Sequence, residues 1–291
     1  MNSNSLSSHK IQEPERSVLY IVGTPIGNLN DISFRALKIF RNVSLIACED
    51  TRQTRKIMSK FEFTNNLISF NKHNSKKKIP KIINDLNSGN SIALVSDAGM
   101  PSICDPGEDL IREARSNGIK VICIPGPCAA ITALVTSGLP SSKFIFEGFL
   151  PKKNSDREKI LNEISKNEKT TILFESPHRL IKLLKKLKEY CGVEREIIVS
   201  RELTKRYEEN IGKNIDEVIN HFEGIEVLGE ITIVIKGINT SKQNQFNKLE
   251  IKQELYELTN AGLSLSAASK YLAKKNNIKK SVIYNMYSNT D

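Results

Sequence analysis

The sequence predicts an α/β protein built from two α/β domains, followed by a small C-terminal helical segment. From position 17 to 146, short apolar runs alternate with segments of helical period. The alternation breaks at residues 148–154, resumes on a smaller scale and ends at Gly237. Alternating elements with short connections indicate a mainly parallel sheet flanked by helices. A chain of 291 residues is long enough to form two such domains.

The first predicted domain, residues 17–148, alternates strands with helices. Residues 92–95 are apolar throughout, which is typical of a strand covered on both faces. We place the strands at residues 18–22, 45–47, 67–70, 92–95 and 121–124. The helices are predicted near residues 33–42, 51–60, 78–87, 108–117 and 129–137.

The second predicted domain, residues 152–238, has fewer elements. Its strands are predicted at residues 171–174, 197–200 and 231–235, and its helices near 155–166, 178–190 and 215–221. A polar linker, 239–247, precedes the helical segment 246–291, in which Gly262 is a helix stop and Ser264 or Ser266 an N-cap. This segment resembles a helix-turn-helix with a basic end; the alternative is a packing or dimerisation appendage.

Composition limits the possible functions. The net charge of +10 favours a polyanionic partner, although a general solubility charge would also explain it. We find no apolar run near the roughly 20 residues of a membrane span, and the polar residues 1–16 read as a disordered tail without a signal peptide, so we expect a cytoplasmic protein without membrane contact. The five cysteines and four histidines are scattered, which argues against a metal site.

Loops at the ends of the predicted strands carry most of the glycine, proline and charge. In open α/β sheets, ligands bind outside the carboxyl ends of the strands, so we expect these loops to form a pocket. The glycine patterns of dinucleotide-binding folds and P-loops are absent. The loops lie at residues 23–29, 48–55, 96–107, 124–132, 174–179 and 200–205, and a glycine-opened strand follows at 229–235.

Two of these loops hold candidate catalytic groups. Glu49, Asp50 and Arg52 stand where a strand ends and a helix begins, although acids in this place also serve as helix caps. In the second domain, charged side chains that suit phosphate or ribose contacts follow a strand. They are Arg201, Glu202 and Lys205. The sequence does not decide which group acts as a base.

In this order, the segments 24–29, 49–52, 96–101, 125–130, 148–151, 175–179, 201–205 and 229–230 resemble the tetrapyrrole-methylase superfamily. Within it, they are similar to the bacterial branch that methylates small-subunit ribosomal RNA. The resemblance spans residues 18–237 and extends to the helical tail. Met100 departs from the pattern, since threonine is expected there.

The resemblance implies a homodimer with S-adenosylmethionine bound in the cleft between two domains of tetrapyrrole-methylase type. It implies methyl transfer to the ribose 2′-hydroxyl of a cytidine in the decoding centre of 16S ribosomal RNA, within the small ribosomal subunit and without a metal. The implied cofactor contacts are Pro25, Ala98, Gly99, Ile103, Cys128, Ala129, Glu175, Gly229 and Glu230. We expect RNA contacts at Arg35, Arg55, His178, Arg179, Lys274, Lys275, Lys279 and Lys280.

Two other functions fit parts of the sequence. A precorrin-type enzyme that methylates tetrapyrrole carbons would share the fold and the cofactor, but the basic charge and the helical tail count against it. A noncatalytic RNA-binding ribosome-assembly factor would share the basic surface. Saturable binding of S-adenosylmethionine distinguishes the enzymes from the assembly factor.

Overall fold

The computed structural model describes residues 13–276 and 278–288 of the chain. Most of the tail predicted to be disordered, up to position 12, lies outside the described residues. Residues 13–16 do not behave as a disordered tail, because two ion pairs hold them. Glu13 pairs with Arg35, and Glu15 pairs with Lys120 at 2.8 Å.

The first sheet contains five parallel strands in the order β3-β2-β4-β1-β5, which confirms the predicted parallel sheet. The strands are β1 (Val18–Val22), β2 (Leu45–Cys48), β3 (Leu67–Ser69), β4 (Ile92–Val95) and β5 (Lys120–Ile124). The helices are α1 (Phe34–Asn42), α2 (Thr51–Lys60), α3 (Ser75–Asn87), α4 (Glu108–Ser116) and α5 (Ala129–Ser137).

Alternate residues of β1 point to opposite faces of this sheet and bury different helices. Val18, Tyr20 and Val22 join a core cluster with α1, whereas Leu19 and Ile21 join a second cluster with α3 and α4. All five residues of β1 are buried. Covering both faces explains why the central strands read as continuous apolar runs, and it leaves only the strand ends open to a ligand.

The second sheet is mixed and has the order β6-β7-β10-β8-β9. β6 and β7 are parallel, whereas β10 is antiparallel to β7 and β8, and β9 is antiparallel to β8. The strands are β6 (Phe144–Phe149), β7 (Thr170–Glu175), β8 (Glu196–Arg201), β9 (Glu209–Asn214) and β10 (Ile231–Ile235). The helices are α6 (Asn154–Lys166), α7 (Pro177–Cys191) and α8 (Ile215–Phe222). The sequence did not predict β6 and β9.

The two sheets are joined through α5. Helices α6, α7 and α8 cover one face of the second sheet with a leucine- and isoleucine-rich core. On the other face, Ala130, Ala133 and Leu134 of α5 pack against Ile172 of β7 and Val234 of β10. The small side chains of the two alanines let the helix approach the sheet closely, so the loop before α5 lies next to the strand ends of the second sheet.

The chain divides into two units between Lys236 and Gly237. The second unit contains α9 (Thr240–Asn260), α10 (Leu265–Asn276) and α11 (Lys280–Ser288), with buried Leu255, Leu272 and Ile283 in its core. The linker predicted at 239–247 is wrong, since α9 already begins at Thr240 and no glycine or proline interrupts it. None of the helices in the described part of the chain is long and apolar enough to cross a membrane.

Candidate functional site

A pocket of about 370 Å³ opens where loops of the first sheet meet strand ends of the second. Its size falls within the usual range of small-molecule sites, about 300–1,000 Å³. Apolar side chains and backbone form most of the wall. The pocket is lined by Ile26, Ala98, Gly99, Met100, Ile103, Cys104, Asp105, Cys128, Ala129, Phe149, Phe174, Glu175, Ser176, Pro177, Leu203, Gly229, Glu230, Ile231 and Thr232.

Backbone contacts fix the floor of the pocket. The Thr24 and Gly99 amides donate to each other's carbonyl oxygens at 2.9 and 3.1 Å, and the Gly23 amide donates to the Ile124 carbonyl at 3.1 Å. Gly23 also lies directly against Gly126: a Cβ atom on Gly23 would stand 2.6 Å from the Gly126 Cα. Three loops are therefore tied together by main-chain atoms, and glycine is needed at both contact points.

Met100 occupies the position where the resemblance predicts threonine. Its Sδ atom lies 2.7 Å from the place that a Cβ of Gly23 would take, so its side chain packs against the first loop. Met100 also lines the pocket. A thioether therefore replaces the expected hydroxyl, while the hydrogen bonds of the neighbouring Gly99 hold the loop through its backbone.

Glu175 supplies a buried carboxylate to the wall formed by the second sheet. It accepts hydrogen bonds from the Ser176 amide and from Nε of Arg179, each at 2.7 Å. Its side chain is only 4% exposed, so the ion pair with Arg179 neutralises a charge that burial would otherwise penalise. The predicted RNA contact Arg179 is thus engaged by a carboxylate of the pocket.

Glu202 and Lys205 form a clasp beside the pocket, together with Glu230. Lys205 Nζ donates to Glu202 at 2.7 Å and to Glu230 at 3.0 Å, and the Glu230 amide donates to Glu202 at 3.0 Å. In the same loop, the Thr204 hydroxyl accepts from the Asn28 amide at 3.0 Å. The clasp therefore fastens the loop after β8 both to the start of β10 and to the first loop of the chain.

The charges of the clasp stabilise each other. Burial alone would raise the pKa of Glu202, but hydrogen bonds from Lys205 and the Glu230 amide outweigh it and lower the pKa. Burial would lower the pKa of Lys205, but its two carboxylate partners outweigh that effect and raise the pKa. Both groups are therefore charged at neutral pH.

Acidic side chains gather at the carboxyl ends of β2 and β4. Asp50 caps α2 by accepting from the Arg52 amide, and the Arg52 guanidinium binds it, which lowers its pKa to about 2. Burial, together with neighbouring carboxylates, raises the pKa of Glu49, Asp97 and Asp105. Asp50 thus serves as the helix cap, while the other three carboxylates bind protons more readily than ordinary exposed carboxylates do.

The pocket contains eight of the nine residues expected to contact the cofactor; they are Ala98, Gly99, Ile103, Cys128, Ala129, Glu175, Gly229 and Glu230. Pro25 does not line it, although its neighbour Ile26 does. In the described chain, none of the six predicted catalytic residues lines the pocket: Glu49, Asp50 and Arg52 lie at the end of β2, and Arg201, Glu202 and Lys205 at the end of β8.

The expected RNA contacts are spread over both units. Arg55 and His178 are exposed, as are Lys274 and Lys279, whereas Arg35 is bound by Glu13. Two further lysines have partners inside the second unit: Lys275 pairs with Glu254, and Lys280 donates to the Ser266 hydroxyl.

Several pocket residues escaped the sequence reasoning. The Phe149 and Phe174 rings contact each other in a tilted arrangement with their centroids 5.6 Å apart, and Asp105 lies on the same loop as Ile103. Their position could have indicated them: Phe149 ends β6, Phe174 is the last residue but one of β7, and Asp105 lies in the loop after β4, so all three are at or beyond the carboxyl ends of strands. In the described part of the chain, no group of three or more His, Cys, Asp or Glu is placed to hold a metal ion.

Comparison with known proteins decides the family. Residues 18–219 match the tetrapyrrole (corrin/porphyrin) methylases. The chain belongs to this family. Among curated proteins, it is 48% identical over 219 residues to the ribosomal RNA small subunit methyltransferase I of Thermotoga maritima, and the match covers 75% of this chain and 98% of that protein. It is 40% identical over 269 residues to the protein of the same name from Synechocystis, covering 92% and 96%.

Solved structures of tetrapyrrole methylases share the fold at low sequence identity. The methyltransferase CobJ superposes with a TM-score of 0.57 at 15% identity, covering 76% of this chain and 93% of that one. Uroporphyrin-III C-methyltransferase from Thermus thermophilus, solved with S-adenosyl homocysteine, superposes with a TM-score of 0.53 at 13% identity, covering 74% and 96%. These similarities support the two-sheet architecture.

Proposed function

We propose that this tetrapyrrole methylase uses S-adenosylmethionine to methylate small-subunit ribosomal RNA, at the ribose 2′-oxygen of a cytidine in the decoding centre. The observation that carries the proposal is the convergence of eight expected contact residues from four separate loops in one pocket. The names of the Thermotoga and Synechocystis relatives support the RNA substrate. The Thermus relative, whose structure contains S-adenosyl homocysteine, supports the cofactor.

The chemistry of the pocket fits this cofactor. Gly99 and Gly229 present backbone without side chains, which lets main-chain groups approach a ligand closely. Apolar walls suit the adenine ring, and the carboxylate oxygens of Glu175 and Glu230 can accept hydrogen bonds from polar groups of the cofactor. When bound, the cofactor supplies an activated methyl group on a sulfonium. The residues of the chain bind it, exclude water and orient the ribose hydroxyl.

We infer that the second unit contributes to RNA binding. Residues 261–288 contain five lysines and no aspartate or glutamate. Lys270, Tyr271 and Lys274 are exposed on α10, and Lys279 is exposed before α11. Lysines bind phosphates, and an aromatic ring among them can stack on an unpaired base.

A second copy of the chain would cover exposed apolar side chains on α5 and β6. Val135 and Ile131 lie one turn apart on α5 and are 68% and 44% exposed, and Phe144 is 40% exposed on the edge strand β6. We propose that they belong to a homodimer interface in a cytoplasmic enzyme. Sedimentation should show a dimer that Val135→Lys dissociates; a monomeric native protein would contradict this assignment.

Calorimetry with S-adenosylmethionine tests the cofactor assignment. Ala98 is exposed and lines the pocket, so Ala98→Trp should fold and fill the site. Ala261→Trp introduces the same side chain at an exposed position of the second unit and serves as the control. We expect saturable binding by the native chain and the control, and loss of binding in Ala98→Trp. Absence of binding by the native, folded protein would contradict the enzyme and favour a noncatalytic RNA-binding factor.

A further inference from the structure

Of the four acidic residues that follow β2 and β4, Asp105 differs from the other three in its position relative to the pocket. Asp50 is bound by Arg52, and Asp97 accepts a hydrogen bond from the Asp50 amide at 2.9 Å. Glu49 follows β2 outside the pocket lining. Among these four acids of the described chain, Asp105 alone lines the pocket.

The surrounding loop holds Asp105 in place. Ser102 and Cys104 have φ angles of 74° and 69°, a left-handed backbone that non-glycine residues rarely adopt. Nζ of Lys72 donates to the Cys104 carbonyl at 3.0 Å, and a Cβ on Gly148 would lie 2.9 Å from the Cys104 sulfur. The residue before Asp105 is thus held between a lysine and the backbone of β6, which argues that the strained path serves to place this loop.

We propose that Asp105 is the general base that accepts the proton of the substrate hydroxyl, an inference that rests on the methyl transfer proposed above. The O–H bond of the ribose 2′-hydroxyl breaks and its proton moves to the Asp105 carboxylate. The oxygen lone pair forms a bond to the methyl carbon, and the carbon–sulfur bond breaks with its electron pair remaining on sulfur. The proton then leaves Asp105 for solvent.

The electrostatic surroundings support this role. Burial is the main cause that raises the pKa of Asp105, and the negative charge of Asp97 adds to it. The positive charge of Lys72 and a hydrogen bond with Ser96 offset part of this rise. Glu49 also faces Asp105, whose charge helps to raise the pKa of Glu49. A carboxylate with a raised pKa is a stronger base than a solvent-exposed one, and the positive charge of Lys72 favours its ionised form.

Asp105→Asn and Asp105→Glu test the assignment, with Asp109→Asn as the matched control. Asp109 lies on α4 in the same segment, is exposed and pairs with Arg112 at 3.0 Å outside the pocket. Each protein is assayed in single turnover with labelled S-adenosylmethionine and small subunits that lack the modification. We expect Asp105→Asn to lower the rate about 100-fold to 10,000-fold and Asp105→Glu to restore part of it. The pH–rate profile of the native enzyme should show an acid limb, and that of Asp105→Asn should lack it.

Binding measurements separate the competing roles of Asp105. S-adenosylmethionine and S-adenosylhomocysteine should bind Asp105→Asn as tightly as they bind the native chain. A selective loss of affinity for S-adenosylmethionine would mean that Asp105 pairs with the sulfonium, and an unchanged rate and pH profile would exclude it as the base. Either result overturns the proposal while native methylation persists. If the native enzyme does not methylate the subunit RNA, the proposed function itself fails.

Discussion

Replacing Gly23 with alanine tests whether close backbone packing builds the cofactor wall. The added Cβ would stand 2.6 Å from the Gly126 Cα and 2.8 Å from the Gly126 nitrogen, distances at which the backbone must move. Gly126 belongs to the turn that carries Cys128 and Ala129 into the pocket. The substitution therefore displaces one wall and pushes the flexible Met100 side chain, without changing the identity of any lining residue.

The expected magnitude follows from overpacking. An inserted methyl group in a closely packed site costs about 1–3 kcal/mol. The displaced loop should also weaken one or two backbone contacts to the cofactor, each of which contributes about 1 kcal/mol. Since about 1.4 kcal/mol corresponds to a factor of ten, the dissociation constant for the cofactor should rise about 5-fold to 30-fold. Gly118→Ala is the control, because Gly118 has a φ of 71° and nothing within 4 Å of its added Cβ. It should lose about 1–2 kcal/mol from backbone strain alone.

Urea denaturation measures the stability of both variants, and calorimetry measures their affinity for S-adenosylmethionine. We expect both to lose similar stability and only Gly23→Ala to lose affinity. Equal affinities in the two variants would refute the reasoning, since they would show that the Gly23–Gly126 contact does not shape the binding wall.

Three further predictions concern the pocket, the clasp and the second unit. Met100→Thr should lower the free energy of unfolding by about 1–2 kcal/mol, because a half-buried side chain is shortened. The affinity for the cofactor, measured by calorimetry, should change less than tenfold. Abolished binding would show that Met100 contacts the ligand. Because the pKa of Glu202 is lowered in the folded protein, its contribution to stability is present at neutral pH and is lost as pH falls below about 4; Glu202→Gln should remove this part of the acid dependence in urea titrations, and identical pH curves would contradict the clasp. Lys270→Gln with Lys274→Gln should reduce the salt dependence of RNA binding by about two units of slope without weakening cofactor binding; an unchanged slope would exclude α10 from the interface.

The sequence predicted the first sheet better than the second for a physical reason. Strand β1 is covered on both faces and therefore reads as an apolar run. Strand β9 (Glu209–Asn214) lies at the edge of its sheet and carries one large apolar residue, Ile211, so its extended form depends on pairing with β8. Strand β6 crosses the expected domain boundary, where a glycine and a proline indicated a break.

The sequence also located the pocket but not the direction of each side chain. The rule that ligands bind at the carboxyl ends of strands selected the loops, and a one-residue difference within a loop decides whether Pro25 or Ile26 faces inward. Asp97 and Asp105 lie near opposite ends of the same loop, and of the two only Asp105 lines the pocket; Ser102 and Cys104 between them adopt a left-handed backbone. Such turns cannot be predicted from residues that normally avoid them.

Mapping the methylated nucleotide tests the central claim most directly. The 291-residue chain is incubated with labelled S-adenosylmethionine and small ribosomal subunits from a strain lacking the modification, and the RNA is digested and analysed by mass spectrometry. The proposed function predicts one labelled methyl group on the ribose 2′-oxygen of a decoding-centre cytidine. Label on a base, or methylation of a tetrapyrrole in place of the RNA, would contradict it.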